Sequence, residues 1–305
     1  MVNYMGTPNK ILDVAIVGSG PAAFTAALYV ARENLAVTVF EREAVGGLTG
    51  TISKIENFPG FEGTGAGLMK KMRGQAEAFG ARVEYGECTA VRRLKGHFKL
   101  TIDDMPVEAR SVIVTTGSER RKLGIEGEDG PAVSYCATCD APMTEGKEVL
   151  VVGGGNSAAQ EAFHLLKYCK SVRILVRSGM RCNDVLKKRL EAEGRIEVVT
   201  GVTPEKIERK KGRLVVKSEE GGDFEADYLF VFIGMQPATG FLPAEILGED
   251  GSVKTKQNFE TDIAGLFAAG DCRMGNVKQA IVAAGEGASA AVGVSKYLEE
   301  QRYGG

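Results

Sequence analysis

The sequence predicts an α/β protein made of two doubly wound, three-layer nucleotide-binding lobes, each with an antiparallel β insert. Three observations predict it. A strand, a glycine-rich loop, a helix and a second strand follow one another twice along the chain. The distance from first loop glycine to the charge ending the second strand is nearly equal in the two copies, 23 residues from Gly18 to Glu41 and 24 from Gly153 to Arg177. A run of short strand-like segments trails each copy, as expected for an inserted antiparallel sheet.

In chain order, Ile11 to Val17 reads as a short buried strand and Gly18-Ser-Gly20-Pro21-Ala22-Ala23 as the loop entering a helix. Val37 to Phe40 is the second strand, ended by Glu41. Arg82 to Tyr85, Thr89 to Leu94, His97 to Ile102 and Val112 to Thr115 then read as a hairpin-rich stretch. The second copy runs from Val149 to Val152, through Gly153-Gly-Gly155-Asn156-Ser157-Ala158, to Val172–Val176 and Arg177. Glu197–Val199, Lys206–Arg209, Leu214–Lys217 and Tyr228–Ile233 form its trailing stretch. A last segment carries Gly270-Asp271 and a helical pattern from Val277 to Glu300, long enough to complete the first lobe. The expected domains are therefore 1–118 with 246–305, and 119–245.

The glycine loops have a stated physical use. The first glycine permits a sharp bend, the second lets backbone approach a pyrophosphate, and a third small residue lets helix pack on strand. Ala23 and Ala158 fill the third place. The helix start offers free N–H groups and a positive dipole end to phosphates. Glu41 can accept hydrogen bonds from both ribose hydroxyls of an adenosine and would repel a 2′-phosphate, so the first lobe suits FAD or NAD. Arg177 cannot accept such bonds but can pair with a 2′-phosphate, so the second lobe leans to NADP.

Between the loops lies Cys136-Ala-Thr-Cys139, followed by Asp140. This spacing lets two sulfurs meet across one helical turn. A helix N-terminus lowers the first thiol's pKa and favours its thiolate. Asp140 is placed to supply or remove a proton as a disulfide opens. The other cysteines, Cys88, Cys169, Cys182 and Cys272, are scattered singly and read as buried small hydrophobes.

Composition excludes several classes. Thirty-eight basic and 40 acidic residues give a net charge of −2, which offers no polyelectrolyte attraction to nucleic acid or membrane. No apolar run approaches a membrane span, and Met1–Lys10 lacks the apolar centre of a signal peptide, so a cytoplasmic location is expected. There is no second Cys-x-x-C, and His97 and His164 are not at ligand spacing, so no metal site is expected. Arg120-Arg121-Lys122, Lys187-Lys188-Arg189 and Lys210-Lys211 read as solvated basic clusters that an acidic partner could meet.

The chain resembles the low-molecular-weight thioredoxin reductases. The resemblance rests on the two glycine loops, Gly46-Gly47, Glu56-Asn57-Phe-Pro-Gly60, Thr116-Gly117, Cys136-Ala-Thr-Cys139-Asp140, and Gly270-Asp271 followed by Gln279-Ala280. It implies a homodimer that binds FAD in the first lobe and NADP(H) in the second. It also implies reduction of a thioredoxin-like protein, with the lobes rotating to alternate flavin access. Cys139 would lie beside the flavin, Cys136 would attack the partner, and Asp140 would carry the proton. Glu41 would hold the adenosine ribose and Asp271 the ribityl chain, with Gln279 and Ala280 by the isoalloxazine ring.

Three departures bear on the electron donor. The family's His-Arg-Arg stretch reads Val176-Arg177-Ser178-Gly179-Met180-Arg181, one residue short and one arginine poorer. Leu48 follows Gly47 where the family has Gln, and Lys278 precedes Gln279 where it has Arg. Some relatives take electrons from ferredoxin, so the expected donor is NADPH or ferredoxin. In ferredoxin-using relatives a C-terminal aromatic can stack on the flavin; Tyr303 is the residue here that could take that place, and a frayed terminus is the commoner reading of such a tail. The alternatives are an FAD-dependent dithiol oxidase using oxygen, which Asp140 opposes because those relatives carry His there, and a flavin-binding interaction protein without turnover.

Overall fold

A computed structural model describes residues 11–210 and 212–303. Met1–Lys10, Lys211 and the Gly-Gly terminus lie outside the described residues, and with them the signal-peptide reading and half of the Lys210-Lys211 cluster. The chain divides into two compact units: residues up to Glu119 with those from Gln236 onward, and Arg120–Met235.

The first unit begins with β1 (Leu12–Val17), α1 (Pro21–Arg32) and β2 (Val37–Glu41). A short α2 (Gly47–Gly50), a small hairpin of β3 (Ile55–Phe58) and β4 (Phe61–Gly63), and α3 (Gly65–Ala78) follow. Then come β5 (Arg82–Tyr85), β6 (Cys88–Arg93), β7 (Phe98–Ile102) and β8 (Met105–Val114). The chain leaves through β9 (Ser118–Arg120).

The second unit holds β10 (Val133–Ser134), α4 (Ala137–Asp140), β11 (Glu148–Val152), α5 (Asn156–Leu165), β12 (Ser171–Val176) and α6 (Asp184–Ala192). It continues with β13 (Ile196–Thr200), β14 (Pro204–Lys210), β15 (Arg213–Ser218), β16 (Asp223–Ala226) and β17 (Tyr228–Val231). The chain returns through β18 (Met235–Pro237), which pairs with β9, then β19 (Leu266–Ala268) and α7 (Ala280–Tyr303).

The central sheet of the first unit runs β5-β2-β1-β8-β7-β6, with β19 also paired to β8. The second unit's main sheet runs β10-β17-β11-β12-β13, all parallel, beside a separate antiparallel sheet β14-β15-β16. Parallel strands buried on both faces read as apolar runs. The run at Val14 to Val17 and that at Val149 to Val152 are both buried throughout. In each unit, apolar side chains pack on both faces of the main sheet.

Three details differ from the sequence expectation. Arg82–Tyr85 and Glu197–Val199 are not hairpin strands. They pair in parallel with β2 and β12, Val39 opposite Val83 and Ile174 opposite Val198, and extend the sheet edge. Residues 236–245, assigned with the second lobe from sequence, group with the first unit because Leu242 buries there beside Ile246 and Val253. The last helix starts three residues late. Lys278 takes a left-handed φ of +53°, which an α-helix cannot include, so the helix opens at Ala280.

Candidate redox site: two glycine loops and a disulfide

In the first unit, Gly18 takes φ +98°, and a Cβ there would lie 2.6 Å from the Thr115 carbonyl oxygen. Only glycine fits this turn. The Gly18 N–H donates to Phe40 O at 2.8 Å, tying the loop to the end of β2. Gly20 caps α1 without a side-chain hydrogen bond, and Pro21 opens the helix. The first-turn N–H groups of Ala22 and Ala23 are thus left for a ligand. Ala23 is fully buried against the sheet, the close packing expected of the third small residue.

Glu41 sits half-buried at the end of β2. Its Oε2 accepts from Ser19 Oγ at 2.6 Å, and its Oε1 from Glu43 N at 2.9 Å. Ser19 Oγ in turn accepts from Gly46 N at 2.9 Å. Ser19 therefore joins the glycine loop, the ribose-type carboxylate and the Gly46-Gly47 turn. In the sequence Ser19 is only the spacer between two glycines, and nothing there marks Glu41 as its partner. Gly46 takes φ +112° against Met69, and Gly47 is open above its Cα; Leu48 is exposed.

A second group gathers at the start of α7. Asn57 Nδ2 donates to Gln279 Oε1 at 3.0 Å, bringing together two candidate cofactor residues 222 positions apart. Asp271 is half-buried, and desolvation raises its carboxyl above the usual range, with the nearby Lys278 charge opposing and Glu286 adding to the rise. Gly270 N donates to the buried Glu286 Oε2 at 2.8 Å, and Glu286 also pairs with Arg273. Neither is a motif residue: Glu286 is a charge inside a helical apolar pattern, which reads as exposed, and Arg273 lies in the loop before that helix.

These residues fit FAD on the structure's own evidence. An uncapped helix start faces an open glycine at Gly20. The Thr116 hydroxyl is buried against the Cys272 thiol, which it meets as a hydrogen-bond partner. Gly117 takes φ +66° with open space at its Cα.

In the second unit, Gly153 repeats the role of Gly18: φ +143°, a would-be Cβ 2.2 Å from the Phe232 carbonyl oxygen, and an N–H bonded to Leu175 O at 3.1 Å. Gly155 caps α5 without a side-chain bond and is open above its Cα, and Ala158 is fully buried. Ser157 is exposed. Asn156 Oδ1 accepts from Asn183 N at 2.8 Å, and Gly154 O accepts from Arg181 N at 2.6 Å. The shortened stretch after β12 is therefore folded back onto the loop. Arg177 and Arg181 are both exposed, and neither has an ion-pair partner among the described residues. The arrangement fits a pyridine nucleotide with a 2′-phosphate.

Cys136 and Cys139 form a disulfide with Cα atoms 5.3 Å apart. Cys136 is the N-cap of α4 and its sulfur lies 3.2 Å from Cys139 N. Asp140 is half-buried, with its carboxylate Oδ2 2.6 Å from the Ser134 hydroxyl. Ahead of the pair, Tyr135 hydrogen-bonds the buried Glu128 carboxylate, which also accepts from Gly124 N at 2.7 Å. Burial raises the Tyr135 phenol well above its ordinary value.

The single cysteines are buried, as the sequence implied. Burial pushes the Cys88 thiol up to about 12 and Cys272 up to about 11, far from a reactive thiolate at neutral pH. Arg120 departs from its cluster: burial lowers its pKa, with Glu161 and Asp140 opposing, so it is no solvated surface charge. Tyr303 is 80% exposed at the far end of α7. Its helix spans 24 residues, so Tyr303 lies about 35 Å from the Ala280 end and cannot cover a ring bound there by the same chain.

The comparisons with known proteins agree with this geometry. The family model described as pyridine nucleotide-disulphide oxidoreductase matches residues 12–287. Thioredoxin reductase of Bacillus subtilis (strain 168) is 37% identical over 306 residues, covering 95% of this chain and 96% of that protein. The crystal structure of Lactococcus lactis thioredoxin reductase (FR conformation) matches with a TM-score of 0.82 at 33% identity, covering 95% of this chain and 99% of that one. A ferredoxin-flavin thioredoxin reductase from Clostridium acetobutylicum matches with a TM-score of 0.57 at 27% identity, covering 96% and 99%. Two dinucleotide loops around one dithiol, and likeness over nearly the whole chain, place this protein in the pyridine nucleotide-disulphide oxidoreductase family, among the low-molecular-weight thioredoxin reductases.

Proposed function

We propose that this chain reduces the disulfide of a thioredoxin-like protein through Cys136 and Cys139, working in the cytoplasm as a homodimer that holds FAD in its first unit. The observation that carries the reading is the Cys136–Cys139 disulfide, with Asp140 fixed directly behind it, in a chain whose other unit fits FAD. Bound FAD supplies the two-electron carrier between donor and disulfide. Gly18, Gly20 and the start of α1 hold its pyrophosphate, Glu41 its adenosine ribose, and Asp271 its ribityl chain. Asn57, Gln279 and Ala280 border its ring, with Gly46, Gly47, Leu48, Thr116, Gly117 and Lys278 around it.

Two electrons break the Cys136–Cys139 bond, and two protons enter, one carried by Asp140. The Cys136 thiol gives up its proton and its thiolate attacks the partner's disulfide, forming a mixed disulfide and expelling one partner thiolate, which takes up a proton. The Cys139 thiol then loses its proton to Asp140 and attacks the Cys136 sulfur, and the second partner sulfur leaves and takes that proton. The partner leaves as a dithiol and the Cys136–Cys139 bond is restored. Cys136→Ser abolishes thioredoxin reduction and leaves FAD bound; retained turnover removes Cys136 from this role.

For the donor, the open Gly155, the uncapped start of α5, and Arg177 and Arg181, exposed and without ion-pair partners among the described residues, support NADPH. Ferredoxin is the second reading, favoured by the clostridial relative above. A ferredoxin near −400 mV lies roughly 130 mV below a thioredoxin, about 6 kcal/mol for two electrons, so its drive is sufficient. An anaerobic titration with NADPH, NADH and reduced ferredoxin, with and without thioredoxin, separates them. Bleaching of the flavin by NADPH at low micromolar concentration supports the first reading. Bleaching by reduced ferredoxin alone overturns it.

A further inference from the structure

Ser134 is the last residue of β10, and its backbone is anchored to the main sheet opposite Phe230. It is 6% exposed. Its hydroxyl oxygen accepts from Cys136 N at 3.0 Å. Two acceptors compete for its single proton, Asp140 Oδ2 at 2.6 Å and Cys136 O at 3.4 Å. A carboxylate at the shorter distance wins, since charge-assisted hydrogen bonds are shorter and stronger. One buried hydroxyl therefore bridges the backbone of the attacking cysteine and the carboxylate behind the pair. Asp140 N donates to Cys136 O at 3.1 Å, closing the same loop on its other side.

We infer that Ser134 is a positioning residue for proton transfer: it holds the Asp140 carboxylate in register with Cys136 and Cys139 while the disulfide opens and re-forms. The hydroxyl gives up no proton in the net reaction. It donates to Asp140 while that group is a carboxylate. Once Asp140 has taken a proton, the hydroxyl can turn to Cys136 O, which leaves Asp140 free to pass its proton to sulfur. The inference rests on the reading of Cys136–Cys139 as the redox pair and Asp140 as its proton carrier.

The test is a double-mutant cycle on the FAD-loaded protein with Ser134→Ala, Asp140→Asn and both together, with Ser134→Thr as the conservative variant. Ser134→Ala lowers kcat for thioredoxin reduction about tenfold, the scale of one hydrogen bond to a charged group. The KM for thioredoxin and the FAD content stay within about twofold, because neither binding surface is touched. The pH dependence of kcat changes shape, and so does the pH dependence of iodoacetamide alkylation of the reduced pair. Ser134→Thr keeps the hydroxyl and restores kcat to within about twofold. In the Asp140→Asn background, Ser134→Ala adds less than about twofold.

A full tenfold loss in that background marks a structural role for Ser134 and overturns the inference. So does an unchanged kcat in Ser134→Ala when Asp140→Asn is impaired. If Asp140→Asn is itself harmless, the underlying assignment of the proton carrier fails instead. Should Ser134→Ala fold poorly, the Ser134→Thr and Asp140→Asn alkylation profiles still decide, since the inference requires the first to match the parent protein and the second to depart from it.

Discussion

The two glycine loops share a backbone and part company at the charge beside them. Their first glycines do the same work. Gly18 presses on Thr115 O and Gly153 on Phe232 O, both at positive φ, and each bonds the end of the next strand, Phe40 or Leu175. The protein's own packing requires these two. Their second glycines are different in kind. Gly20 and Gly155 have ordinary φ values of −75° and −92°, and a Cβ at either would meet nothing within 4 Å. Nothing in the fold demands glycine there, so the demand comes from what binds. Beside the first loop stands Glu41, fixed by two hydrogen bonds; beside the second stands Arg177, exposed and with no ion-pair partner among the described residues. One architecture thus presents an anchored carboxylate beside the loop of one unit and an exposed arginine beside the loop of the other.

The largest effect that tests this comparison is expected at the second glycines. Gly20→Ala fills the space a pyrophosphate needs and weakens FAD binding about 10- to 100-fold, while folding stability changes by no more than about 1 kcal/mol. Flavin content and thermal unfolding of the FAD-free form read the two quantities separately. Gly155→Ala keeps FAD and raises the KM for NADPH about tenfold. If both variants bind their nucleotides normally, the open space at these glycines has another cause.

A smaller effect belongs to Ser19, which ties Glu41 to the first loop and has no counterpart in the second, where Gly154 occupies its place. Ser19→Ala removes a buried donor to a carboxylate and weakens FAD binding about tenfold. Titration of FAD into stripped protein checks it. An unchanged affinity means that Glu43 N alone fixes Glu41.

How far the sequence revealed all this depends on the range of the interaction. The loops, strand ends and Cys136–Cys139 are local patterns, and the structure builds each of them as the spacing implied. Gly20 and Gly155 were legible as helix starts because a buried strand runs into each loop and an apolar helical pattern follows it. Ser19, Ser134 and Glu286 were not, because each acts by a hydrogen bond to a residue that the one-dimensional pattern does not mark as its neighbour. Glu286 meets Gly270 across a helix face, and Ser19 meets Glu41 across a sheet. Strands β5 and β13 were misplaced for a similar reason: four or five residues of β pattern do not say whether their partner runs parallel. Leu242 and Ile246 drew residues 236–245 into the first unit by burial, which the composition of that stretch does not announce.

At the next level down lies the 2′-phosphate. Arg177→Ala lowers the preference for NADPH over NADH about five- to tenfold, since one exposed charge-assisted contact is lost and Arg181 remains. The ratio of kcat/KM values for the two nucleotides measures it. A ratio that stays put means the second loop does not read the phosphate through Arg177, and the contrast with Glu41 reduces to an ordinary strand end.

The smallest effect is expected from the tail, for which the resemblance to ferredoxin-using relatives offers a place at the cofactor of the first loop. Tyr303 is 80% exposed and ends the same rigid helix whose other end begins at Ala280, beside Gln279. A helix cannot bring its own two ends together, so within one chain the aromatic is held away from the ring site. Removing residues 302–305 therefore leaves the flavin spectrum and the rate of reduction by NADPH within about twofold of the parent, as for other exposed termini. A shift in the flavin absorbance, or a faster reaction with NADPH after truncation, would mean that Tyr303 of another copy reaches the ring. The first unit's site would then be shared between chains, while the second unit's loop remained complete in one.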